Sequence, residues 1–161
     1  MNTVLDAIRR LLADSGVTFR ELHHEPTLTS EDSARVRGEP LHVGAKALLL
    51  KTDETFALFV LPADQKLDSA AVKRELGAKK TRFASADELR EMTGLVPGSV
   101  PPFGRPILPF DLYADTEIGV QLDRVAFNAG SLTDSMILSA SDWLRVAQPR
   151  RFRFGKKEID S

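Results

Sequence analysis

The sequence predicts a single α/β domain built around a mixed β-sheet, and three observations lead there. Apolar runs of strand length alternate with capped, amphipathic helical segments, but without the strict βαβ order of an all-parallel sheet. The 161 residues suit one compact domain and are too few for two of ordinary size. No internal repeat, low-complexity segment or linker divides them, so residues 1–161 read as one unit.

The elements follow in order. Val4, Leu5, Ile8, Leu11 and Leu12 share one helical face, and Gly16 stops that helix. Val17 to Glu21 reads as a short strand ending at His23-His24-Glu25-Pro26. Thr29 to Arg37 is helical, with Thr29 and Asp32 at capping-box spacing and Gly38 as the stop. Ala45–Thr52 and Phe56–Pro62 are apolar runs joined by Asp53-Glu54-Thr55, which makes them a hairpin of largely buried strands. Helices are expected near Ser69–Leu76 and Ser85–Met92, the second opened by the Ser85/Glu88 capping box, with a short strand Thr81–Ala84 between them.

Residues 94–104 carry three glycines and three prolines, a backbone stiff in places and open to close approach in others. Ile107–Tyr113, Arg124–Asn128 and Ser135–Ser139 complete the strands. A last helix starts near Ser139 and carries Trp143, Leu144 and Val146. Residues 150–161 form a basic tail with interleaved phenylalanines, which is either a solvated end or an RNA contact. Core packing of at least one of Phe152 and Phe154 is expected.

Composition narrows the function. Apolar residues at 42% and charged ones at 28% are those of a soluble globular protein. The absence of cysteine fits a reducing compartment and removes thiol nucleophiles, disulfides and thiolate metal sites together. Asp6, Arg9 and Arg10 interrupt any signal-peptide pattern, and no run approaches the roughly 20 apolar residues that span a bilayer. A cytoplasmic protein with no membrane partner is expected. A net charge of −1 argues against coating DNA or other nucleic acid through dense phosphate neutralisation, but leaves room for gripping one end of an RNA.

Most catalytic constellations are missing. His23, His24 and His42 show no H-x-x-x-H or H-E-x-x-H spacing, and adjacent histidines on a strand point to opposite faces, so no metal is expected. There is no G-x-S-x-G, no P-loop and no G-x-G-x-x-G, so neither a serine triad nor a nucleotide cofactor is supported. Lys46 stands out because it sits near the start of an otherwise apolar strand. An ammonium there must snorkel to solvent, pair, or face a cleft.

Five phrases occur in a telling order: His24-Glu25, Gly44-Ala-Lys-Ala-Leu-Leu-Leu50, Leu61-Pro-Ala-Asp-Gln-Lys-Leu-Asp68, Gly98-Ser-Val-Pro-Pro102 and Phe127-Asn-Ala-Gly130. In that order the chain resembles the YbaK/prolyl-tRNA synthetase editing-domain family over roughly residues 1–150. Arg37-Gly38, Pro101-Pro-Phe103 and Asp142-Trp-Leu-Arg-Val-Ala-Gln-Pro149 are similar to phrases of its stand-alone serine/threonine trans-editing subgroup. The alanine-specific subgroup tends to place histidine where this chain has Asn128.

The resemblance implies a partly barrel-like central sheet flanked by helices. It also implies hydrolysis of the ester of a mischarged aminoacyl-tRNA in trans, on serine or threonine, without a cofactor. Lys46 is then the catalytic lysine that anchors the terminal adenosine or its phosphate. Gly98, Ser99 and Pro102 belong to the loop that holds the aminoacyl carbonyl. His24, Phe127, Asn128, Ala129 and Gly130 complete the substrate site, with Asn128 toward the amino acid and backbone donors near Gly98 and Gly130 toward the oxyanion. The vicinal ribose hydroxyl is expected to help activate water. Alternatives are a deacylase for alanyl, cysteinyl or non-protein aminoacyl esters, or a silent module that binds tRNA or an aminoacyl-tRNA synthetase.

Overall fold

The computed structural model describes residues 3–120 and 122–157. Helix α1 (Val4–Asp14) is capped by Thr3, whose hydroxyl accepts the Asp6 amide, and it buries Ile8 and Leu12. Strand β1 (Arg20–His23) begins later than the apolar pattern predicts. The reason is that Val17 closes the helix end, donating its amide to the Leu12 carbonyl, while its side chain enters the core.

Helix α2 (Ser30–Arg37) starts on Thr29 and ends on Gly38 at φ +69°. A 3-10 turn (Leu41–Val43) leads into β2 (Ala45–Thr52), which pairs antiparallel with β3 (Thr55–Pro62) over its full length. Then come β4 (Gln65–Leu67), α3 (Ser69–Leu76), β5 (Thr81–Phe83) and α4 (Ala86–Thr93), the last opened by the full Ser85/Glu88 capping box. Beyond the loop lie β6 (Asp111–Asp115), β7 (Arg124–Asn128), β8 (Asp134–Ser139), α5 (Ala140–Ala147), β9 (Arg150–Phe152) and β10 (Gly155–Lys157).

The strands form a mixed five-stranded sheet in the order β5-β2-β3-β6-β9, a three-stranded sheet β1-β8-β7, and the pair β10-β4. These sheets stay open. The central sheet is mixed as expected but does not close into a barrel, and a single parallel bridge, Gly44 to Ala126, joins the two larger sheets. Alternation along β2 and β3 divides the core. Leu49, Leu58 and Val60 pack with α1, α4, Trp143 and Phe127 on one face. Leu50, Phe59 and Leu61 pack with α3, Tyr113 and Phe154 on the other.

Two further expectations change here. The strand expected at Ile107 begins only at Asp111, because Gly104 accepts the amides of Ile107 and Leu108 in a tight turn. As far as Lys157 the basic tail is built into the sheets and is not a loose end; residues 158–161 of that expectation lie outside the described residues. Strand β9 pairs parallel with β6, β10 pairs antiparallel with β4, and Phe154 is fully buried between them. Among the described residues no helix is long and apolar enough to cross a membrane.

Candidate functional site

The seam between the two larger sheets opens into a cleft of about 210 Å³. One wall is the start of β2, where Gly44 fits closely; a Cβ there would lie 2.9 Å from that of Ala63. The opposite wall is the end of β7, Ala126 to Asn128. Thr27–Ser30, Ser33 and Arg37 close it from the α2 side, and Gly98 and Val100 from the proline-rich loop. That loop is stiff because its inner half is core: Phe103 packs edge-on against Phe127, and the Trp143 indole donates to the Pro102 carbonyl at 2.9 Å. Its exposed tip at Gly98, φ +88°, is thereby aimed at the cleft.

Half-buried Lys46 lines the β2 wall, paired in register with Leu61. The cleft-lining residues therefore include two cations, Lys46 and Arg37, and no carboxylate. Arg37 is held from below. Its Nε donates to Ser135 Oγ (2.9 Å) and its Nη2 to Asn128 Oδ1 (3.0 Å). Burial draws its pKa down to about 10, against a smaller upward pull from Glu39, so it remains charged at neutral pH.

Asn128 is oriented by elimination. A guanidinium only donates, so Oδ1 faces Arg37; a carbonyl only accepts, so Nδ2 faces the Gly98 oxygen at 2.8 Å. Thr27 and Ser33, both buried, extend the network with an Oγ–Oγ1 bond of 2.9 Å.

Of the residues expected at the site, Lys46, Gly98, Phe127 and Asn128 line the cleft. His24, Ser99, Pro102, Ala129 and Gly130 do not; they support it. His24 Nε2 lies 2.7 Å from Ser135 Oγ, and its Nδ1 donates to the Glu25 carbonyl at 2.8 Å. The Ser99 hydroxyl closes the loop on Val96. Pro102 and Ala129 are core residues. The Gly130 amide donates to the Ser99 carbonyl at 2.9 Å, so it fastens the loop and does not face an oxyanion. Thr27, Ser33 and Ser135 carry no sequence signal, and Arg37 enters the sequence pattern only through Arg37-Gly38. The i, i+4 spacing of Ser33 and Arg37 on one helical face is the hint available.

A small cleft with two cations, a rigid loop and a hydroxyl-lined floor has the chemistry to hold an anionic or carbonyl-bearing end. Comparison with known proteins gives the family. The model of the aminoacyl-tRNA editing domain matches residues 24–146, and the chain belongs to that family. The multifunctional Ser/Thr-tRNA deacylase ProXp-y of Escherichia coli strain K12 is 38% identical over 149 residues, covering 89% of this chain and 88% of that one. The proline–tRNA ligase of Shouchella clausii strain KSM-K16 is 34% identical over 101 residues, which are 63% of this chain and 17% of the ligase. A crystal structure of a hypothetical protein superposes with TM-score 0.83 at 23% identity, covering 92% of this chain and 99% of that one. At that identity the likeness is one of fold.

Proposed function

We propose that the chain is an aminoacyl-tRNA deacylase that acts in trans on seryl or threonyl esters, in the cytoplasm. The observation that carries this reading is the cleft itself, with Lys46 and Arg37 on its walls, no lining carboxylate, and the Thr27 and Ser33 hydroxyls at its floor. Likeness to the Escherichia coli Ser/Thr-tRNA deacylase over most of both chains supports the substrate class.

The chemistry needs orientation more than a nucleophile. Water adds to the ester carbonyl, the acyl C–O bond breaks, the ribose oxygen regains a proton, and the free amino acid leaves. Lys46 holds the terminal nucleotide as a compact point charge. The tip of the loop at Gly98 holds the acyl group, and the vicinal ribose hydroxyl helps activate the water. Fixed donors around the developing oxyanion supply acceleration without an acid–base pair on the protein. A floor that bonds a substrate hydroxyl rejects analogues lacking it, because its own polar groups would be left unpaired.

The test is to incubate the protein with tRNAs charged with serine, threonine, alanine, cysteine and proline, beside Lys46→Ala. Hydrolysis of the seryl or threonyl ester is expected, falling about 100-fold or more in the variant. No hydrolysis of any ester by the unaltered protein overturns the reading; unchanged activity in Lys46→Ala overturns the lysine's role alone.

A further inference from the structure

A second group of cations lies along the same strand as the cleft. Lys51, Lys73, Lys79, Lys80 and Arg82 line a shallow depression of about 440 Å³ where β5 pairs with the far end of β2, joined there by Asp53 and Glu54. Five cations against two acids is a local excess in a chain whose net charge is −1.

The depression is built. Asp53 accepts the backbone amides of Lys79 (3.0 Å) and Lys80 (2.9 Å), which clamps the turn after α3 onto the β2–β3 turn and uses that carboxylate for folding. Arg82 is forked onto Glu88 at 2.7 and 2.9 Å. Lys51 sits 5.8 Å from the centre of the Phe56 ring. None of the four lysines stands in an ion pair with a carboxylate among the described residues. Four lysines beside two carboxylates leave a local excess of positive charge, and the partner that relieves the repulsion is a polyanion.

Position identifies which polyanion. The cleft and the depression both lie along the edge of β2 that β3 does not cover: β7 meets it at Gly44, and β5 meets it from Leu50 to Thr52. Lys46 and Lys51 stand five residues apart on one strand, about 17 Å along it and on opposite faces; by the same alternation Lys46 shares the face on which α3, the helix carrying Lys73, packs. A polynucleotide whose acylated terminus enters the cleft has its preceding phosphates within that range.

The basic tail is less suited. Arg151 donates to the carbonyls of Thr116 and Ile118, Arg153 to Asp115, and Arg150 lies over the Tyr113 ring. Those three charges are engaged within the fold.

We propose that the lysine depression at the β5 edge docks the RNA backbone of the acylated strand, upstream of the nucleotide held by Lys46. The proposal rests on the deacylase reading. Its test compares the full chain with a Lys73→Gln/Lys79→Gln/Lys80→Gln variant on two substrates: intact seryl- or threonyl-tRNA, and the same amino acid on a CCA trinucleotide. A Lys156→Gln/Lys157→Gln variant runs beside them.

The expected result is a KM for intact tRNA raised tenfold or more in the triple variant, with kcat and the trinucleotide reaction unchanged. The slope of log(kcat/KM) against log salt should flatten by roughly 2 to 3, one step per lost phosphate contact. An unchanged KM and slope on tRNA overturn the docking surface and leave the deacylase standing. So does a slope that flattens only in the Lys156/Lys157 variant. Failure of the unaltered protein to hydrolyse either substrate overturns both.

Discussion

Two buried polar networks hold this molecule together, and they differ in whether they are closed. Around fully buried Asp115, one carboxylate oxygen accepts the amides of Phe154 (2.8 Å) and Gly155 (2.7 Å), and the other accepts the Glu117 amide (2.9 Å) and Arg153 Nη1 (3.1 Å). No room is left beside it, since a Cβ on Gly155 would meet Gln65 Oε1 at 2.2 Å. Around Arg37 the arrangement is open. A guanidinium has five N–H donors, and Ser135 and Asn128 each take one. Its Nη1 lies 3.7 Å from where a Gly44 Cβ would sit, on the cleft wall. A closed network fastens strands; an open one keeps binding capacity in reserve for a ligand.

Substitutions can break that distinction. The largest effect is expected at Asp115→Ala, which strands two buried amides, while half-exposed Arg153 keeps its ion pair with Glu117. It should cost about 3–5 kcal/mol, a fall in Tm on the order of 10 °C, with deacylation per folded molecule retained. A variant that melts like the unaltered protein would show that the closed network is not what holds the tail strands.

Arg37→Met should do the reverse. Burial lowers the Arg37 pKa, so the folded state disfavours the charged form; this cost is fully present at neutral pH and is relieved only as pH climbs through about 10 toward the ordinary arginine value. Removing the charge should therefore hold or raise Tm at pH 7 while kcat/KM on the aminoacyl ester falls about tenfold or more. Thermal melts and initial rates on the same preparation check both halves; a lower Tm with intact activity would make Arg37 a structural residue.

The smallest effect belongs to Thr27→Val, which takes one hydroxyl from the floor. Stability should change by about 1.5 kcal/mol or less, while the ratio of seryl to alanyl ester hydrolysis drops several-fold. An unchanged ratio in a competition assay would move the choice of amino acid elsewhere in the cleft.

Much of this is legible in the sequence. The β2–β3 hairpin follows from two apolar runs and a polar turn, and helix starts at Thr29, Ser85 and Ser139 follow from their capping side chains. Lys46 is visible because a charge in an apolar strand needs an explanation. The floor of the cleft is not visible in the same way. Arg37, Asn128, Ser135 and His24 meet through contacts 91 to 111 residues apart, set by how α2 and β1 pack against the β7–β8 pair. Periodicity reports which face a residue occupies, but not which distant side chain shares that face. The tail misled for another reason. A three-residue strand is too short for alternation to register, and its parallel partner β6 lies some 35 residues back in the chain.

The burial of Phe154 carries a consequence for how the protein is made. The core on one face of the central sheet is assembled from β2, β3, α3 and Tyr113, and Phe154 is the piece that joins it after all of these. On a ribosome, a nascent chain that has already emitted every cleft residue still presents an unfilled hydrophobic socket to solvent. Completion of that core waits for the stretch of sequence that looks most like an afterthought.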